Sequence, residues 1–163
     1  MLERLEGYGD KVVKAHHLGE GDVLIITSVY GMNACTIDAA LEAKRRGCKL
    51  IAITSTVAAE RTPPGFPARH SSRQNLHELA DVTIDTHVPH GEVCLDVAEL
   101  RQSLGGTCNI LQCFCINALV IETALVCKRR GFDPPLWVSA NIDGGDERNR
   151  ALLDKYTPRV KSL

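Results

Sequence analysis

Gly21-Asp22-Val23-Leu24-Ile25-Ile26-Thr27-Ser28-Val29-Tyr30-Gly31-Met32-Asn33 begins the stretch that decides the fold, and Lys49-Leu50-Ile51-Ala52-Ile53-Thr54-Ser55 closes it. Val23 to Ile26 form an apolar run without alternation, the pattern of a parallel strand buried on both faces. Thr27 to Asn33 supply hydroxyls, a glycine and small polar groups where that strand ends. Between the two runs, Ile37 to Arg46 place Ile37, Ala40 and Leu41 at helical spacing, and Gly47 is suited to stop the helix. Lys49 to Thr54 read as a second buried strand, followed by Ser55 and Thr56. Open α/β sheets bind ligands at the carboxyl ends of their strands. Two hydroxyl-rich loops at that edge, one leading into a helix N-terminus, point to an anion site.

Outward from this stretch, Met1 to Leu18 carry helical spacing through Leu2, Leu5, Val12 and Val13. Val57 to His70 hold three prolines and read as a loop, closed by Arg69-His70-Ser71-Ser72. Asn75 to Ala80 read as a short helix and Asp81 to Asp85 as a third strand. His87 to Gly106 read as a second loop. Thr107 is a suitable N-cap for a long helix, Cys108 to Arg130, with Gly131 as its stop. Ile110, Leu111, Phe114, Ile116 and Val120 wrap around most of that helix, so it is either deeply buried or covered on a second side by another subunit. Leu136 to Val138 read as a short strand, and Arg150 to Tyr156 as a last helix.

The chain has 163 residues, 44% of them hydrophobic, and a formal charge of −1. One domain spanning 1–163 is the expectation at that length. The balance of charge lacks the basic excess of a nucleic-acid binder. Lys44-Arg45-Arg46 and Lys128-Arg129-Arg130 instead fall at helix C-termini, where they complement the macrodipole. The longest apolar span, Ile116 to Cys127, is interrupted by Asn117, Glu122 and Thr123 and falls short of the roughly 20 residues of a membrane helix. Met1 is not followed by a basic-then-apolar leader, so no membrane association and a cytoplasmic location are expected. Seven cysteines without a Cys-x-x-Cys pair argue against zinc and for small buried thiols in a reducing compartment. Asp143, Asp146 and Glu147 lack the later bidentate glutamate of a calcium loop. Asp143 with Gly144-Gly145 suits a turn and Asp146 a helix cap, so neither metal nor cofactor is expected.

The order of elements and the residues at their ends resemble the sugar isomerase (SIS) domain family, and within it a bacterial phosphoheptose-isomerase-like branch. The resemblance rests on Gly21-Asp22 and Ser28-x-x-Gly31-x-Asn33, on Ile51 to Ser55, on Arg69 to Ser72, on Ala80-Asp81-Val82 and on Gly106-Thr107. Its most specific part is Ser139-Ala140-Asn141-Ile142-Asp143-Gly144-Gly145-Asp146. It implies a doubly wound, flavodoxin-like parallel sheet with helices on both faces, a phosphosugar ligand and a homodimer or higher homo-oligomer. Carried over residue by residue, Ser28, Gly31 and Asn33 match the phosphate loop, Ser55 and Thr56 a second phosphate-contacting loop, and Thr107 a helix N-terminus facing the sugar. Tyr30 stands where the family has its second serine. Two roles are open to it: filling the pocket, or reaching the anion through its hydroxyl. The family also begins with a further strand unit, so the chain resembles the C-terminal two-thirds of a relative, with 1–18 as a residual N-terminal helix.

Aldose–ketose isomerisation needs a base that moves a proton between adjacent carbons. His70, His87, His90 and Glu92 lie in loops, and His90-Gly91-Glu92 offers an imidazole and a carboxylate together, which makes His90 and Glu92 the candidate catalytic pair. Glu122 reads either as a buried polar group paired across an interface or as a base. The expected function is therefore binding of a phosphorylated sugar, with isomerisation and a non-catalytic sensor role as the two alternatives.

Overall fold

The computed structural model describes residues 1–158 and 160. A single 3-10 turn, Leu2–Arg4, precedes α1 (Tyr8–Ala15), β1 (Val23–Thr27), α2 (Ala34–Arg45), β2 (Lys49–Thr54), α3 (Thr56–Arg61), α4 (Leu76–Leu79) and β3 (Val82–Asp85). A hairpin of β4 (Val93–Leu95) and β5 (Leu104–Gly106) leads into α5 (Cys108–Arg129), and α6 (Gly145–Tyr156) follows. These residues form two compact units, Met1–Ala118 and Leu119–Leu163.

In the first unit β1, β2 and β3 make a three-stranded sheet in that order, all parallel, with Val23 opposite Lys49 and Ile51 opposite Val82. The architecture is thus mixed α/β with a parallel sheet, in keeping with the SIS-type reading. Ile37 and Ala40 of α2, Leu76 and Leu79 of α4, and Leu50 and Ala52 of β2 form the buried core, with Leu24 and Ile26 of β1 against it. Burying each large side chain there contributes about 1.5–3 kcal/mol. The expectation that β1 is buried on both faces is corrected. Val23 is 53% and Ile25 49% exposed, as is Val82 at 53% on the same face of β3. β1 lies at the edge of a short sheet, and its side chains alternate between a helix-covered face and an open one.

Helix α2 ends in a Schellman arrangement. Gly47, at φ +80°, donates to the Lys44 carbonyl at 3.0 Å, and the Cys48 amide reaches Ala43 at 3.0 Å. Gly131 and Phe132 close α5 in the same way, on Lys128 at 3.0 Å and Cys127 at 2.9 Å. Glu42 of α2 is buried between Arg45 (2.7 and 2.8 Å) and Arg46 (2.7 Å). Hydrogen bonds from those guanidiniums hold its carboxyl down at about 2.

Several expectations need correction. The segment read as a loop from Val57 holds α3, because its prolines come after the helix and Ser55 caps it through Ala58. The loop after His87 contains the β4–β5 hairpin, whose mostly exposed residues carry no alternating pattern. Leu136 to Val138 form no strand. The Asn149 side chain takes the place of a neighbouring strand, accepting from the Val138 amide at 3.1 Å and donating to its carbonyl at 2.8 Å. Helix α6 begins at Gly145, with Gly144 (φ +70°) as its N-cap and Asp146 inside the first turn, so Asp146 is not the cap. Only Cys48 of the seven cysteines is buried, and Cys94 and Cys113 are exposed.

Of the two alternatives for α5, deep burial within the chain is corrected. None of its residues is buried within the chain; Ile110 is 70%, Phe114 69% and Ile121 59% exposed. Its 22 residues are long and apolar enough to cross a membrane by length and composition. The helix runs nearly as read, from Cys108, and the two polar residues that interrupt its apolar span, Asn117 and Thr123, return their side chains to the helix's own carbonyls at Cys113 (2.8 Å) and Leu119 (2.7 Å). Glu122 is exposed, not buried within the chain.

Candidate functional site

The carboxyl end of β1 continues into the Ser28–Asn33 loop, which local chemistry holds rigidly. The Ser28 amide extends the ladder to the Ile53 carbonyl at 3.0 Å, and Ser55 and the Thr54 hydroxyl both donate to Val29, at 2.9 and 3.0 Å. Gly31 turns the chain at φ +55°, and its amide donates to the Ser28 hydroxyl at 3.2 Å. A Cβ at Gly31 would sit 2.8 Å from the Thr54 hydroxyl oxygen, so the close approach as well as the dihedral calls for glycine. Asn33 is the N-cap of α2 by position, yet its side chain makes no capping bond.

That loop borders a cavity of about 270 Å³, lined among others by Glu3, Ser28, Tyr30, Asn33, Glu92, Asn109 and Gln112. Asn109 and Gln112 stand three residues apart on α5, hence on one face of its first turns. The Thr107 hydroxyl and amide both donate to the Glu92 carbonyl, at 3.1 and 2.8 Å, tying the start of α5 to the Glu92 turn. Glu92 itself has φ +66°.

Tyr30 and Asn33 also line a second cavity, of about 380 Å³, together with His90. The Tyr30 hydroxyl accepts from the Gly91 amide at 3.0 Å, and its ring meets His90 edge-to-face at 5.8 Å. Tyr30 therefore pins the His90–Glu92 turn. It also separates the expected catalytic pair: Glu92 lines the first cavity and His90 the second.

Ser28, Tyr30, Asn33 and Glu92 are thus brought together. Gly31 shapes their loop, and Thr107 anchors Glu92. Ser55 and Thr56 line neither cavity. Ser55 is fully buried, donates to the Val88 carbonyl at 2.7 Å and accepts from Ala58 at 3.2 Å. The Thr56 hydroxyl donates to Asp85. Burial alone would raise the Asp85 carboxyl, but that hydroxyl, the amides of His87 and Thr56 and the nearby His87 together hold it below its usual range. His70 is buried away from both cavities, with Nε2 3.2 Å from Asp38 and Nδ1 2.8 Å from the Ser72 hydroxyl. His87 is exposed beside Asp85 at 3.6 Å.

Sequence reasoning missed Asn109 and Gln112. Both carried a signal, since polar residues three apart interrupt the opening turns of an otherwise apolar helix. In the second unit, Asp143, Asp146 and Glu147 border a separate cavity of about 340 Å³. Among the described residues no three His, Cys, Asp or Glu side chains converge as a metal site would require.

Residues 1–55, which include β1, the Ser28–Asn33 loop, α2 and β2, match a family model described as SIS domain. A UPF0309 protein of Oceanobacillus iheyensis is 37% identical over 98% of this chain and 63% of its own length. Over residues 1–55 the chain belongs to the SIS-domain family. A UPF0309 protein of Shouchella clausii is 34% identical over 98% of the chain and 63% of its own length, and one of Thermoanaerobacter pseudethanolicus is 34% identical over 99% and 64%. The chain spans about 63% of the length of the first of these curated relatives. A SIS domain implies sugar-phosphate binding or an isomerase-like role in general terms, and the Ser28–Asn33 loop lies within the matched residues.

Proposed function

We propose that the chain binds a phosphorylated sugar in the cavity between the Ser28–Asn33 loop and the start of α5. The observation that carries this reading is the convergence of Ser28, Asn33, Asn109 and Gln112 on one cavity at the carboxyl end of β1, with two carboxylates, Glu92 from the facing turn and Glu3 from the 3-10 turn. Hydroxyl and amide donors suit phosphate and sugar hydroxyls, and an open α/β sheet places its ligands at this edge. Asn33 suits a ligand contact because its side chain is not consumed by capping α2.

Within this reading Glu92 is the base of an aldose–ketose isomerisation. It takes the proton from the carbon beside the carbonyl, leaving an enediolate; the neighbouring hydroxyl proton passes between the two oxygens, and Glu92 returns the carbon-bound proton to the former carbonyl carbon. The separation of His90 by Tyr30 favours a second reading, a non-catalytic sensor, since Glu92 then lacks an imidazole partner in its cavity. Titration of the chain with a panel of sugar phosphates, with each mixture in deuterated water followed by proton NMR, tests both. Binding with deuterium uptake beside the carbonyl supports the isomerase, and Glu92→Gln then abolishes the uptake. Binding without uptake supports the sensor. Absence of binding across the panel rejects the proposal.

A further inference from the structure

The second cavity is chemically unlike the first. Its floor is Met32, Thr62 and Ala68, each 4% exposed, and Pro63 and Phe66 continue its apolar wall. Into this lining come Arg4 from the 3-10 turn, Arg61 from the end of α3, and His90. Among the described residues no carboxylate lines it. Among the described residues Arg61 makes no side-chain hydrogen bond or ion pair. The nearest partner of Arg4 is Glu3 at 3.9 Å, with both side chains more than half exposed. Arg61, with the loosely paired Arg4 beside the same apolar, partly enclosed cavity, forms an anion receptor, because guanidinium is weakly hydrated and presents a planar fork that fits a carboxylate. The volume, about 380 Å³, is that of a small-ligand pocket.

From this geometry we infer that the cavity beyond Tyr30 is a separate binding site for an apolar group bearing a carboxylate. The ring or alkyl part lies against Met32, Pro63 and Phe66, and the carboxylate meets Arg61 and Arg4. Free phosphate is a poorer occupant. It is strongly hydrated, and the apolar floor offers it few donors to replace that water.

The test is an amide-resolved NMR titration of the isotope-labelled chain with benzoate, with benzyl alcohol as the uncharged counterpart, and separately with inorganic phosphate. Benzoate is expected to shift the amides of Met32, Phe66, Ala68 and His90 and to bind at least about ten-fold more tightly than benzyl alcohol. Arg61→Met keeps an apolar stem and removes the charge, so it should weaken benzoate by about ten-fold and leave phosphate unaffected. Arg61→Lys should recover part of the loss. Equal binding of benzoate and benzyl alcohol, shifts elsewhere on the chain, or indifference to Arg61→Met would each overturn the inference. Shifts from phosphate at Ser28, Asn33 and Asn109 report on the other cavity. Their absence counts against the phosphosugar reading and leaves this one standing.

Discussion

Replacing Gly31 by alanine tests how the geometry of the Ser28–Asn33 loop is enforced. The residue sits at φ +55°, where a side chain costs about 1–2 kcal/mol. The new Cβ would lie 2.8 Å from the Thr54 hydroxyl oxygen and 2.9 Å from the Leu76 Cβ, closer than such atoms tolerate. Relief must come from moving Thr54, which donates to Val29 at 3.0 Å, or α4, whose Leu76 amide donates to the Gly31 carbonyl at 2.7 Å. Overpacking of this kind costs typically about 1–3 kcal/mol. The two effects together give a loss of about 2–5 kcal/mol, a large part of the stability of a small domain. Urea denaturation of Gly31→Ala beside Gly65→Ala makes the comparison, since a Cβ at Gly65 meets open space. Gly65→Ala should stay within about 0.5 kcal/mol of wild type. A Gly31→Ala midpoint indistinguishable from that control would refute the argument that the loop is locked.

Ser55→Ala should cost about 1–3 kcal/mol of stability, because it leaves the buried Val88 carbonyl without its donor, and should leave ligand affinity unchanged; weakened binding in a folded variant would return Ser55 to the site. Glu42, held at about 2 against an ordinary 4.5, stabilises the fold fully above its ordinary value and loses that contribution as pH falls toward 2. Glu42→Gln should flatten the pH dependence of urea midpoints across that window, and an unchanged slope would place the acid sensitivity elsewhere. The exposed apolar surface of α5 should drive association at micromolar concentration; sedimentation as a well-folded monomer would contradict this, and Phe114→Asp should shift the wild type toward smaller species.

The stretch from Gly21 to Ser55 was legible because its determinants are local. Unalternating aliphatics make β1 and β2, and Gly47 stops α2 at the position its backbone requires. The Ser28–Asn33 loop was legible for the same reason. What escaped depends on partners distant in sequence. Ser55 and Thr56 look like ligand hydroxyls until Val88 and Asp85, more than two dozen residues on, are seen to hold them. His90 and Glu92 are two residues apart, but Gly91 at φ +94° and Glu92 at φ +66° turn the chain around Tyr30 and send them to different cavities. Arg4 and Arg61 come to line one cavity only through the fold. The periodicity of α5 correctly indicated a helix apolar all round, but periodicity alone does not say what covers it.

The central claim is that the Ser28–Asn33 loop and the start of α5 hold a phosphorylated sugar. Calorimetric titration of wild type, Asn33→Ala and Gln112→Ala with a panel of sugar phosphates, against the free sugars and inorganic phosphate as references, tests it most directly. At least one sugar phosphate is expected to bind while its free sugar does not, and each variant to lose about 1 kcal/mol or more of binding energy, some five-fold in affinity, while remaining folded. Equal affinities in wild type and both variants, or no heat from any phosphorylated ligand, would contradict it.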